Sequence, residues 1–179
     1  MCVAEIKCHR LNVTVEKGEN VRKGRIRDLM DTPDPYVELL VKGIPKGNPK
    51  TKTIDNTINP EWNESFTFYL DPSKEYNLDV ALFDENVGKD ELIGRQTINL
   101  KHLKPNENVA KILEFGKKSK IYLKLLLEED WVPDLRYSTD LSDQEKVFLG
   151  KRKEYAFKAI KQILRPDISP NNVEEVCKE

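Results

Sequence analysis

Three aspartates, Asp28, Asp31 and Asp34, fall within seven positions of one another, with two bare apolar side chains, Leu29 and Met30, between the first two. Pro33 and Pro35 follow closely. Each proline lacks a backbone donor and restricts the residue before it, so the run is a turn rather than a helix. Carboxylates crowded at a turn repel one another unless a cation sits among them. Hard oxygens at irregular spacing suit calcium, which accepts about six to eight of them in flexible geometry. For this turn alone, a solvated acidic loop is an equally good reading.

Two further loops bear on that choice. Ile54-Asp55-Asn56-Thr57-Ile58-Asn59-Pro60 is rich in turn residues, and Asn56 offers a neutral side-chain oxygen. The stretch from Phe83 to Glu91 is acidic again, with Asp84, Glu85 and Asp90, and Val87 interrupts it. Two acidic loops that meet at one end of a fold favour a metal site over separate solvated turns.

The elements that would bring these loops together are strands. Leu11, Val13 and Val15 alternate with Asn12, Thr14 and Glu16, the period-two signature of a half-buried strand. Further candidates are Tyr36 to Val41, Lys50 to Ile54, Glu61 to Leu70, Asn77 to Asp84, Glu91 to Asn99, Ala110 to Phe115 and Lys120 to Glu128. Trp62, Phe66 and Phe68 share one face of the fourth. Eight short strands with no helix between them predict an all-β fold, an antiparallel sandwich of two sheets. Alternate connections then fall at one end, so the first and third loops converge.

Beyond Asp130 the pattern changes. Ser142-Asp-Gln-Glu145 has the form of a capping box. Phe148, Tyr155, Ala159, Ile160, Ile163 and Leu164 then recur at helical spacing until Pro166. A basic amphipathic helix is expected there, more naturally a docking helix than one lying on a membrane.

Composition narrows the function classes. The formal charge of -1 gives no bulk attraction for nucleic acid, and no nucleic-acid partner is expected. Three cysteines, Cys2, Cys8 and Cys177, have neither zinc-site spacing nor the pairing of a disulfide framework. The N-terminus has no apolar signal region, and no run is long enough to span a bilayer. A reduced, soluble, cytoplasmic protein is the expectation.

The motifs Asp34-Pro-Tyr-Val, Asn59-Pro-Glu-Trp-Asn-Glu-Ser-Phe-Thr-Phe and Asp84-Glu-Asn ahead of Leu92-Ile-Gly94 closely resemble a C2 domain. The run from Leu29 to Leu39, with Pro133-Asp-Leu-Arg-Tyr-Ser and Asp143-Gln-Glu-Lys, resembles the cytosolic calcium-dependent phospholipase A2 family, over roughly residues 9 to 165. That resemblance implies an eight-stranded antiparallel C2-type β-sandwich with a C-terminal amphipathic helix. The implied divisions are an N-terminal tail at 1–8, the C2 domain at 9–129, a linker at 130–141, the helix at 142–165 as the start of a truncated lipase region, and a polar tail at 166–179.

The resemblance further implies two bound Ca2+ ions. It places side-chain ligands at Asp28, Asp31, Asp34, Asn56, Asp84 and Asn86, and backbone carbonyl ligands at Thr32 and Glu85. Membrane-inserting side chains fall on Ile26, Leu29 and Met30, with the third-loop tip only partly kept as Val87-Gly88-Lys89. The implied function is calcium-dependent binding to phospholipid membranes, with cytoplasmic protein recruited by calcium. Because Lys89 stands at a tip, anionic surfaces are the expected partner.

The implied setting is a phospholipase A2-like protein of lipid metabolism. No catalytic residue is expected in this chain: it has no Gly-x-Ser-x-Gly elbow and no Gly-rich oxyanion segment, so the lipase domain would be absent. Two alternatives stand beside this reading. One is the N-terminal part of an active phospholipase A2 that hydrolyses glycerophospholipid esters. The other is a C2 fold that binds proteins without calcium.

Overall fold

The computed structural model describes residues 5–22, 32–44, 48–116 and 118–133. Among the described residues, seven strands follow in order: β1 (Glu5–Glu19), β2 (Pro35–Val41), β3 (Glu61–Leu70), β4 (Asn77–Asp84), β5 (Glu91–Asn99), β6 (Asn108–Phe115) and β7 (Ser119–Pro133). They form a four-stranded sheet in the order β3-β1-β7-β6 and a three-stranded sheet in the order β2-β4-β5, with every pair antiparallel. The core lies between the two sheets. Leu11, Val13 and Val15 of β1 are fully buried there, beside Leu78, Val80 and Leu82 of β4 and Leu123 and Leu125 of β7. Trp62, Phe66 and Phe68 pack inward from β3, as their spacing predicts. This is the antiparallel β-sandwich that the strand pattern predicts.

The candidate strand at Lys50–Ile54 runs along the open edge of β2 without forming a regular ladder. Leu39 N donates to Pro49 O at 2.9 Å, Thr51 N to Val37 O at 2.9 Å, and Ile54 N to Pro35 O at 3.2 Å. Only Glu38 and Lys50 make a bridge. The break has a local cause: the Val37 amide donates to the Thr51 hydroxyl, 3.0 Å away, rather than to a carbonyl. The segment still covers the β2 edge, which would otherwise present unpaired backbone groups.

Two strands run further than the sequence pattern indicates. β1 begins at Glu5, inside the expected tail, and β7 continues to Pro133, inside the expected linker. The reason is mutual pairing, with Glu5 opposite Pro133 and Cys8 opposite Asp130. Pro133 is tolerated because it sits at the last pair, where little of the ladder is lost. β3 pairs with β1 only from His9, and β6 pairs with β7 only from Leu126, so the extension is two strands wide.

The apolar positions Ile26, Leu29 and Met30, the ligand positions Asp28 and Asp31, and the expected helix at 142–165 with its flanking segments lie outside the described residues. Among the described residues, no helix is long and apolar enough to cross a membrane.

Candidate cation-binding loop end

Pairing of β2 with β4 sets Pro35 opposite Asp84. The residue before one strand and the last residue of the other therefore stand side by side. Asp34 N donates to Asp84 Oδ1 at 2.7 Å, and Glu85 N returns a bond to Asp34 O at 2.9 Å. Asp84 is only 1% exposed. A buried carboxylate is costly unless its oxygens are satisfied, and here the second oxygen accepts Asn86 Nδ2 at 3.1 Å.

The irregular segment beside β2 delivers the second loop to the same place. Asn56 N donates to Asp34 Oδ1 at 2.6 Å, and Thr57 N donates to Pro33 O at 3.0 Å. Asn56 has φ of 52°, in the left-handed region that asparagine adopts more readily than most residues. Three stretches distant in sequence thus meet around Asp34.

The third loop is tied down from its far side. Asp90 accepts the Tyr36 hydroxyl through Oδ2 at 2.7 Å and the Asn86 amide through Oδ1 at 3.2 Å. These two bonds, the phenol first, hold the Asp90 carboxyl below its ordinary range. Burial, and then the bond to Asp90, push the Tyr36 phenol up. The Tyr36 ring stacks on Phe83 at 5.2 Å. Lys50 Nζ lies 4.4 Å from the centre of the Tyr36 ring and 4.0 Å from Glu85 Oε1. At the tip, Val87 is wholly exposed (109%), Gly88 takes φ of 102° and Lys89 is exposed.

Of the residues that the sequence singles out, Asp34, Asn56, Asp84, Glu85 and Asn86 come together here, and Thr32 is exposed two positions before Asp34. Asn86 departs from the expected ligand pose. Its carboxamide nitrogen faces Asp84, bonding both Oδ2 and the backbone oxygen at 3.1 Å, so it acts as a donor. Asp90 has both oxygens engaged, which makes it a brace for the loop. Lys50 and Tyr36 do work that the sequence pattern does not reveal, although Tyr36 lies inside the Asp34-Pro-Tyr-Val motif. Among the described residues, no group of three or more His, Cys, Asp or Glu side chains is placed to hold a metal ion.

The arrangement fits hard-cation chemistry in its donor types, which are carboxylate, carboxamide and carbonyl oxygens. No sulfur or imidazole stands among them.

Comparison with known proteins identifies the family of the fold. The model of the C2 domain family matches residues 9–115. Synaptotagmin-4 of Arabidopsis thaliana is 28% identical over 185 residues, a match that covers 94% of this chain but 29% of the relative. Human GIVD cytosolic phospholipase A2, in complex with methyl gamma-linolenyl fluorophosphonate, superposes with a TM-score of 0.64 at 26% identity, covering 73% of this chain and 19% of that one. The C2A domain of plant Extended Synaptotagmin 1 gives 0.60 at 28% identity, covering 68% and 95%. Resemblance to the phospholipase is therefore one of several, and synaptotagmin-type domains match comparably. The chain spans less than a third of the length of the curated relative and of the phospholipase.

Proposed function

This chain belongs to the C2 domain family, and from that membership we propose that its loop end binds calcium and, in the calcium-loaded state, a phospholipid surface. The observation that carries the reading is the meeting of Asp34, Asn56 and Asp84 from three separate stretches, next to a tip whose Val87 is fully exposed. Asp34 and Asp84, with Asn56, Asn86 and the carbonyls of Thr32 and Glu85, would hold calcium together with Asp28 and Asp31, two ions in all. When bound, calcium supplies positive charge and open coordination positions for phosphate oxygens.

The chain's own residues supply the rest. Backbone donors hold Asp34 and Asp84 in place, and Asp90 and Tyr36 brace the third loop. Asn86 turns its carboxamide oxygen inward by rotation about its terminal torsion. Val87, with Ile26, Leu29 and Met30, enters the apolar interface, each fully buried side chain contributing about 1.5–3 kcal/mol. Lys89 favours anionic headgroups by about 1 kcal/mol near a charged surface. In a cell, this reading has cytoplasmic protein moving to membranes as calcium rises. The match to synaptotagmin-type domains supports a binding module over a hydrolase, and phospholipid hydrolysis is not proposed for this chain.

The test is co-sedimentation with phosphatidylcholine vesicles, with and without phosphatidylserine, in calcium or in chelator. Binding in calcium, stronger to the phosphatidylserine vesicles and weakened by salt, is expected. Equal binding in chelator would overturn the calcium reading, and no binding to either vesicle type would overturn the membrane reading.

A further inference from the structure

Among the described residues the two sheets present four edges, at β2, β3, β5 and β6. An edge strand offers unpaired backbone groups to any other strand, and covering segments, bulges or local irregularities normally blunt it. Three of the four are blunted. Residues 49–54 run along β2, β3 carries Asn63 at φ of 51°, and β5 has an extra residue, Ile93, against β4. β6 differs. It pairs with β7 over eight successive residues without a register shift, and it contains no proline.

The open side of β6 can be read from its contacts. Val109, Leu113 and Phe115 pack toward the core, so Ala110, Ile112 and Glu114 lie on the face turned away from the second sheet. All three are exposed, and Ile112, at 55%, is a large apolar side chain left in solvent. Gln96 Nε2 of β5 donates to Glu114 O at 2.8 Å, so that carbonyl faces away from β7. Residues of an antiparallel strand turn their backbone groups alternately to one neighbour and the other. The amides and carbonyls of Ala110 and Ile112 therefore face the open edge together with those of Glu114.

We propose that β6 pairs antiparallel with β6 of a second copy of this chain, with Ile112 on the two-fold axis. Ile112 then faces Ile112, and Ala110 faces Glu114 of the second copy. Every residue whose backbone points outward meets another of the same kind, the condition for exchanging two hydrogen bonds. Charge favours this occupant and this register. Glu114 lies 3.9 Å from Lys120 of its own chain. Across the small Ala110 of the second copy it comes within reach of that copy's Lys124, the β7 neighbour of Ala110. No like charges stand opposite one another, whereas a two-residue slip that moves the axis to Lys111 would set that lysine against itself. The apolar contact is self-complementary as well, since Ile112 has Tyr122 beside it on β7 and the second copy brings the same pair. Antiparallel pairing inverts the second copy, so the two loop ends lie at opposite ends of the dimer. Both stay free, and the pairing does not depend on what they bind.

The experiment uses the full chain without lipid or calcium. Pairing through one edge is small as interfaces go, so sedimentation velocity should show a reversible monomer–dimer equilibrium. Ile112→Lys puts two like charges on the axis and should raise the dissociation constant by about tenfold or more. Its melting temperature at low concentration should match wild type, because the side chain is exposed. Register is read by oxidative cross-linking in a chain carrying Cys2→Ser and Cys177→Ser, whose remaining Cys8 is buried. Ile112→Cys sets two thiols across the axis with Cα atoms about 5.5 Å apart, within disulfide reach, and should give a covalent dimer. Ala110→Cys alone should not, since its two copies stand about 14 Å apart along the strands. Mixed with Glu114→Cys it should. A dimer that Ile112→Lys leaves intact overturns the proposal, as does equal cross-linking of Ile112→Cys and Ala110→Cys. A wild-type chain that stays monomeric up to about 1 mM also overturns it and would leave the edge to a strand of another protein.

Discussion

Val87→Ala isolates the apolar contribution of the third loop. Val87 is 109% exposed and Gly88 beside it has open space around it, so the fold has nothing to lose from the substitution. Burial of one methylene is worth about 0.8 kcal/mol, and valine exceeds alanine by two. If the tip enters the interface fully, partitioning loses about 1.6 kcal/mol, which is about fifteenfold at a factor of ten per 1.4 kcal/mol. Half-burial reduces the loss to about fourfold on the same arithmetic. The assay is calcium-dependent partitioning onto vesicles at fixed lipid composition, with melting temperature and lipid-free calcium affinity as controls. Both controls should match wild type. Partitioning within about twofold of wild type, less than the half-burial figure, would refute insertion of the third-loop tip.

Asp34→Asn keeps Oδ1 as acceptor for the Asn56 amide while removing a charge. The calcium-free melting temperature should hold, and the rise on adding calcium should shrink; at a concentration of a hundred dissociation constants that rise corresponds to about 2.7 kcal/mol. Asp84→Asn should behave differently. Both Asp84 oxygens accept hydrogen bonds, so a carboxamide leaves a donor facing Asn86 Nδ2 and costs about 1–3 kcal/mol before calcium is added. Tyr36→Phe removes the hydroxyl that holds Asp90 below its ordinary range. A carboxylate depressed in the folded state contributes stability above its unfolded pKa and loses it as pH falls through the folded one. Denaturation should therefore show the wild-type advantage over Tyr36→Phe at neutral pH, narrowing in acid below the unfolded aspartate range; a gap independent of pH would contradict the assignment.

The strands legible in the sequence were those whose evidence is local. β3, β4 and β5 have the predicted bounds because Pro60, Asp71-Pro72 and the Asp84–Asp90 loop punctuate clean apolar patterns. The extension of β1 and β7 was not legible, because Glu5–Cys8 and Asp130–Pro133 are each only four residues long, too short for an alternating pattern to be assigned as strand. Each is extended because the other is, across a sequence separation of more than a hundred residues. The Lys50–Ile54 segment was placed correctly, but its irregularity depends on one hydroxyl, that of Thr51, taking the place of a carbonyl. At the loop end, the acidic and turn residues of the three loops foretold a convergence, and among the described residues Asp34, Asn56 and Asp84 do meet. They did not foretell orientation: whether Asn86 offers oxygen or nitrogen, and whether Asp90 faces a cation or Tyr36, is decided by contacts made only in three dimensions.

Those contacts also bear on how much of the loop end must change when a cation arrives. Asp34 accepts the Asn56 amide, Asp84 accepts the Asp34 amide, and the Glu85 amide reaches the Asp34 carbonyl. Each bond joins two of the converging stretches, and each donor belongs to the backbone. Hydrogen bonds to carboxylates are the stronger kind, so the stretches are locked together by the same oxygens that would meet calcium. Neutralising those oxygens should weaken the acceptors without breaking the β2–β4 ladder that lines them up. Calcium should then leave exchange at the Glu38, Leu40 and Ala81 amides, which face across the β2–β4 ladder, unchanged. At Asn56 and Asp34 the change is a balance, since a carboxylate shared with a cation is a poorer acceptor but sits in a more ordered loop. Ordering should win, because binding to the folded state alone raises the free energy of every opening that releases the ion. Slower exchange at Asp34, Asn56 and Glu85 on adding calcium is the expected result. Faster exchange there, with unchanged strands, would mean that the loops are assembled by their own hydrogen bonds and that a cation pulls them apart.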